Sequence, residues 1–149
     1  MTRGRPATPE TVLAFDFGTR RTGVAVGNTL TRAAQPLTTI AATDDDARLA
    51  AIATLVAQWQ PQRLVVGVPL HADGTEHATT ALARRFARRL EQRFGLPVES
   101  ADERHTTHAA RSALAAAGVR GRAARAARDE VAAQLILQEW LDERRDGAA

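Results

Sequence analysis

The first third of the sequence contains two apolar, β-branched segments that only a short turn can connect. They occupy residues 12–18 and 22–27, with Thr-Arg-Arg at positions 19–21 between them. Segments of this composition form β-strands, and so short a connection can join only antiparallel neighbours. Any fold of this chain must therefore begin with a β-hairpin.

After the hairpin, the apolar pattern alternates between strand and helix. Strands are predicted at 35–40, 63–69 and 97–101, and helices at 44–59, between 79 and 95, from Thr106 or Thr107 to about 117, and at 129–142. The stretch 118–128, rich in arginine and alanine, is predicted to be a mobile basic loop. The order β-β-β-α-β-α-β-α-α predicts an α/β fold, a mixed five-stranded sheet flanked by helices.

Length and composition limit the architecture and the available chemistry. A chain of 149 residues suits one domain, predicted at 11–143 with a disordered N-terminal tail at 1–10 and a C-terminal tail at 144–149. The absence of cysteine excludes disulfides and thiolate metal sites. No apolar run approaches the ~18 residues of a membrane span, and the polar start resembles no signal peptide. A cytoplasmic protein without membrane contact is the expectation.

Positive charge is concentrated in one part of the chain. All 20 basic residues are arginines, and six of them lie between Arg104 and Arg128 without an intervening acidic residue. Such a run is typical of a surface that binds a polyanion, nucleic acid above all.

Three acidic positions stand out as candidates for chemistry. Asp16 ends the first strand, Glu103 follows the last strand beside Asp102, and Asp129 opens the final predicted helix on its apolar side. An unpaired carboxylate in a buried strand is costly, so a functional role is favoured for Asp16. Carboxylates that converge need a shared cation, and their hard oxygens suit Mg²⁺ or Mn²⁺.

Structural explanations remain open for several of these residues. Asp129 can serve simply as an acidic partner of its helix N-terminus, and Asp102 and Glu103 can pair with Arg104 as a surface charge cluster. The histidines match no metal-ligand spacing and are interpreted as loop residues, although His105 adjoins the candidate site. The Asp-x-Gly-Thr pattern at 16–19 also suits a turn that approaches a nucleotide phosphate.

Four motifs, in order, make the chain resemble the YqgF/RuvX family, whose members are described as Holliday-junction-resolvase-like or as nucleases of the 16S rRNA precursor. They are AFDFGTRRTGVAVGN at 14–28, VVGVPLHADGTE at 65–76, FGLPVESADERHTT at 94–107 and DEVAAQLILQEWLD at 129–142. The resemblance covers about residues 12–142 and implies an RNase H-like fold. One departure is the run RAARD at 125–129, where the family often carries a KGKVD-like sequence.

The resemblance also implies roles for individual residues. Asp16, Glu103 and Asp129 match the family's catalytic carboxylates and would hold one or two Mg²⁺ or Mn²⁺ ions, while Thr107 would help to orient the site. The predicted nucleic-acid-binding residues are Arg20, Arg21, Arg104, Thr106, Arg122 and Arg125. Binding through phosphates predicts strong salt dependence and little base selectivity.

The function predicted from these features is metal-dependent endonucleolytic cleavage, with processing of the 5′ end of precursor 16S rRNA first among the substrates. Two alternatives stay open: a nuclease acting on branched DNA, and a non-catalytic RNA-binding factor of ribosome assembly. A sugar-kinase or actin-like ATPase would need two such domains, far more chain than this. Either a monomer or a homodimer is compatible with the sequence.

Overall fold

The computed structural model describes residues 8–71, 73–76, 78–102 and 121–147. The predicted third helix at about 106–117 lies outside these residues. Five strands and three helices are described: β1 (Thr11–Asp16), β2 (Arg21–Asn28), β3 (Ala33–Ala41), α1 (Asp45–Trp59), β4 (Arg63–Val68), α2 (Thr80–Phe94), β5 (Val98–Asp102) and α3 (Gly121–Gly147).

The strands form one mixed sheet in the order β3-β2-β1-β4-β5. The hairpin-led portion β1-β2-β3 is antiparallel, whereas β4 and β5 join β1 in parallel. The predicted five-stranded mixed sheet is therefore confirmed. Because β1, β4 and β5 run the same way, their carboxyl ends share one edge of the sheet, hereafter the carboxyl edge.

Strand alternation sends apolar side chains into two separate cores, one on each face of the sheet. Leu13 and Phe15 of β1 pack on the face covered by α1 and α2, together with Ile52 and Phe86. The alternate residues of β1 pack on the face covered by α3. That second core contains Val12, Ala14, Ala25, Val65, Ala133, Ile136, Leu137 and Trp140.

Helices α1 and α2 begin and end where their sequences direct. The Asp44 carboxylate accepts a hydrogen bond from the Ala47 amide and caps α1, as the run of aspartates predicts. Gly95 ends α2 in the left-handed conformation. The spacing of apolar residues predicts Trp59 on the apolar face of α1 and Leu82 on that of α2. Both are instead exposed, at 41% and 40%, because each lies in a terminal turn of its helix.

Helix α3 is longer at both ends than the predicted helix at 129–142. The stretch 118–128 was predicted to be a loop, and this is wrong for residues 121–128, which form the first two turns of α3. The missing bulky residues suggested a loop, but alanine and arginine are among the strongest helix formers. The helix also continues to Gly147, past residue 143. The tails and domain boundary set from the sequence stay predictions.

Each described helix is too short or too polar to act as a membrane span.

An ionic network joins β5, the outermost strand, to α3. It lies at the opposite end of the strands from the carboxyl edge. Glu99 accepts hydrogen bonds from Arg63 (2.7 Å), from the Trp140 indole (3.2 Å) and from Arg144, whose guanidinium lies over the Trp140 ring. Arg63 also binds Glu10, which precedes β1. Burial alone raises the pKa of Glu99, but these donors outweigh it and the pKa is lowered.

The lowered pKa of Glu99 predicts a pH-dependent contribution to stability. A carboxyl with a depressed folded-state pKa stabilises the fold above its unfolded pKa of about 4.3, and this contribution is lost as pH falls through the folded value. Glu99→Gln should lower the free energy of unfolding by about 1 kcal/mol at pH 7 and by much less at pH 3. Urea unfolding at the two pH values, with the exposed Glu139→Gln as control, would refute this if both pH values showed equal losses.

Candidate active site

Asp16 ends β1 at the carboxyl edge and belongs to the α3 face of the sheet. Val12 and Ala14 pack beneath α3, so the alternation of a strand places the Asp16 side chain on that same face. Gly23 of β2 lies opposite it in the antiparallel register, and Gly67 of β4 lies beside it in the parallel one. The neighbours of Asp16 in the sheet thus have no side chains.

Gly23 brings the backbone of α3 into contact with the strand next to Asp16. A methyl group built on Gly23 would lie 1.9 Å from the carbonyl oxygen of Asp129 and 3.0 Å from its Cα. The Thr39 hydroxyl lies 2.9 Å from the Ala126 carbonyl oxygen and 3.0 Å from the Glu130 carboxylate, which fixes the same part of α3 over β3. Asp16 and Asp129 therefore both adjoin Gly23.

The third predicted carboxylate, Glu103, lies outside the described residues, as do Arg104 and Thr106. The strand that leads to it is informative, because Ala101 is level with Asp16 across Gly67 and packs on the α3 face. Asp102 is the next residue, so strand alternation turns it away from that face. This parity argues against Asp102 as a third ligand beside Asp16 and Asp129.

The arginines predicted to bind nucleic acid take different positions. Arg21 donates from Nε to the Asp129 carboxylate at 2.9 Å. Arg20 is exposed in the hairpin turn. Arg125 is exposed on α3, one turn before Asp129. Arg122 lies in the same helix, but its side chain is not among those that the structure describes.

Arg48 is a site-supporting residue that sequence reasoning missed. Its guanidinium is buried and donates hydrogen bonds to the Thr19 and Ala42 carbonyl oxygens, both at 2.9 Å, and to Asp45 at 2.7 Å. It also lies 5.1 Å from the centre of the Phe17 ring. These contacts hold the turn that follows Asp16. Arg48 precedes the buried Ile52 by four residues and so lies on the apolar side of α1. This spacing could have predicted that Arg48 is buried.

The donor atoms present suit a hard divalent cation. Asp16 and Asp129 supply carboxylate oxygens, the preferred ligands of Mg²⁺ and Mn²⁺. Among the described residues no three acidic or histidine side chains form a cluster that could hold a metal ion. The described part of the site is thus two carboxylates that adjoin one glycine, with Arg21 bound to one of them.

The sequence is similar to curated bacterial proteins along almost its whole length. It is 54% identical over 132 residues to a protein of Dechloromonas aromatica, covering 89% of this chain and 90% of that one. It is 56% identical over 136 residues to one of Nitrosomonas europaea, covering 91% and 92%. Each bears the name "Putative pre-16S rRNA nuclease".

Two solved structures with a similar fold are of proteins that act on Holliday junctions. Thermus thermophilus RuvC in complex with a Holliday junction substrate matches with a TM-score of 0.55 at 16% identity, covering 91% of this chain and 96% of that one. The yeast mitochondrial Holliday junction resolvase Ydc2 matches with a TM-score of 0.55 at 13% identity, covering 87% and 77%. At these identities the likeness concerns the fold alone, and it confirms the predicted RNase H-like architecture.

The family model RuvX, described as a Holliday junction resolvase, matches residues 10–143. That span includes both carboxylates beside Gly23 and the whole five-stranded sheet, and it confirms the resemblance drawn from the four sequence motifs. The chain belongs to the RuvX family.

Proposed function

We propose that this protein is a metal-dependent endonuclease that cleaves a phosphodiester bond at the 5′ end of precursor 16S rRNA. The observation that carries the proposal is the placement of Asp16 and Asp129 on either side of the Gly23 contact, at the carboxyl edge of an RNase H-like sheet. The names of the curated relatives support the choice of RNA. Because precursor rRNA is processed in the cytoplasm of bacteria, the proposal includes a cytoplasmic location for this protein.

Asp16 and Asp129 would hold Mg²⁺ or Mn²⁺, and Glu103, matched from the sequence, would complete the set. When bound, such ions acidify water and stabilise the negative charge that develops as a phosphodiester is hydrolysed. The protein supplies the placement of the ligands: β1 fixes Asp16 through two strand neighbours, and Gly23 fixes the height of Asp129 above the sheet.

The arginines at the carboxyl edge would bind the RNA backbone. Arg20 projects from the turn that Arg48 holds rigid, and Arg125 lies one helical turn from Asp129. Phosphate contacts of this kind position a substrate without reading its bases. The affinity should therefore fall steeply as salt concentration rises, and it should vary little with base sequence.

A branched DNA substrate is the second candidate, favoured by the description of the matching family model. Paired cuts across a junction would require a two-fold dimer, whereas a single cut in precursor rRNA would not. A non-catalytic RNA-binding role is the third.

One cleavage assay separates these three functions. The protein would be incubated with Mn²⁺ and either a precursor 16S rRNA fragment that spans the mature 5′ end or a synthetic four-way junction. We expect cleavage of the RNA at a defined position and slow or no cleavage of the junction. Faster cleavage of the junction would favour the DNA function, and RNA binding without product would favour the assembly factor.

A further inference from the structure

The carboxylate of Asp129 already has a cationic partner in the folded protein. Arg21 Nε lies 2.9 Å from Asp129 Oδ2, and the two residues are 108 positions apart in the chain. The side chain of Asp129 is only 16% exposed and that of Arg21 is 34% exposed. A pair so shielded from water is stronger than an ordinary surface ion pair, and a carboxylate at this depth is costly without a counter-ion.

The ion pair takes one of the two carboxylate oxygens of Asp129 and places a positive charge close to the other. A divalent cation at Oδ2 would take the place of the guanidinium, and a cation at Oδ1 would lie close to its positive charge, so the ion pair opposes metal binding in both cases. We propose that Arg21 is a competing counter-ion of Asp129: it neutralises the carboxylate before the metal arrives, and metal binding displaces it. This inference rests on the proposed function, because it takes Asp129 to be a metal ligand.

Displacement gives Arg21 a second use. The freed guanidinium stays at the start of β2, next to Arg20 and beside the carboxylates where a scissile phosphate would lie. A phosphate is a better partner for a planar guanidinium than water is. RNA should therefore favour the displaced position of Arg21 and tighten metal binding, and by linkage metal should tighten RNA binding by the same factor.

The experiment measures Mn²⁺ binding to the whole protein in the absence of RNA, by electron paramagnetic resonance of the free ion. Arg21→Gln removes the competing charge, and Arg21→Lys keeps it. Arg88→Gln is the control, since it removes one positive charge from an exposed residue of α2, on the other face of the sheet. Thermal unfolding in EDTA checks that each variant is folded.

The expected result is a dissociation constant for Mn²⁺ about tenfold lower in Arg21→Gln than in wild type, with Arg88→Gln within about twofold and Arg21→Lys near wild type. Adding a short non-cleavable RNA should tighten Mn²⁺ binding in wild type and do so less in Arg21→Gln. A purely structural role for Arg21 would loosen or leave unchanged the metal affinity.

Three outcomes would overturn the inference. They are equal or weaker Mn²⁺ binding by Arg21→Gln, an effect of Arg88→Gln as large as that of Arg21→Gln, and no measurable binding by any variant that keeps Asp129. The proposed function fails differently, by the absence of RNA cleavage in wild type, and that result can occur with or without the change in metal affinity.

Discussion

Replacing Asp16 by asparagine is expected to lower the rate of RNA cleavage by a factor on the order of a thousand or more, while folding and RNA binding are retained. The amide keeps the size of the carboxylate but not its charge. Asp16 lies at a strand end between two glycine neighbours, so the substitution creates no clash in the sheet. The loss should therefore appear in the rate of the chemical step.

The measurement is single-turnover cleavage of the precursor RNA fragment at saturating protein, beside RNA affinity and thermal unfolding. Asp46→Asn in the first turn of α1 is the control, because Asp46 is an exposed aspartate on the other face of the sheet. We expect the control to cleave at the wild-type rate. An Asp16→Asn protein that is folded, binds RNA and still cleaves normally would remove Asp16 from the site.

Replacing Gly23 by alanine is expected to be among the most destabilising single-methyl changes in this fold. The added carbon would lie 1.9 Å from the Asp129 carbonyl oxygen, and both partners are backbone, so neither a strand nor a helix can yield cheaply. Helix α3 would have to lift from β2 at the point where Asp129 is positioned. We expect a loss of about 3 kcal/mol or more in the free energy of unfolding, together with loss of cleavage.

Gly27 supplies the matched comparison on the same face of the same strand. A methyl group there would lie 2.9 Å from the Ala33 carbonyl oxygen and at least 3.0 Å from the ends of the Leu137 and Leu141 side chains. The Ala33 carbonyl is backbone and must shift slightly, but this overlap is far smaller than the one at Gly23, and the two leucine ends can move. Gly27→Ala should therefore cost less than Gly23→Ala, about 1–2 kcal/mol. Urea unfolding of the two variants tests the ranking, and an equal loss would contradict the close backbone contact at Gly23.

The sequence allowed the order of elements to be predicted because local patterns determine it. The hairpin, the capped α1 and the apolar run of β4 each carry their own signal within a few residues. Alternation along β1 was enough to single out Asp16, a charged residue in a strand that is otherwise buried. Helix periodicity identified Asp129 in turn, because it places this charged residue on the apolar side of α3. Ala132, Ala133 and Ile136 are buried on that side.

Contacts between distant parts of the chain could not be predicted in this way. Nothing near Arg21 indicates that its partner lies 108 residues away, because the docking of α3 on β2 creates the pair. The same docking gives Gly23 its role. The start of α3 was missed for a different reason: residues 121–128 lack the bulky side chains that mark a helix face, although their helix propensity is high.

If Asp16 and Asp129 act by sharing a divalent cation, cleavage must stop when the metal is removed and return when it is restored. Cleavage of the precursor RNA fragment would be followed in EDTA, then after addition of Mg²⁺ or Mn²⁺, for wild type and for Asp16→Asn. We expect no product in EDTA, full cleavage by wild type after either ion is added, and none by the variant. Cleavage by wild type in EDTA at the rate seen with metal would contradict this expectation.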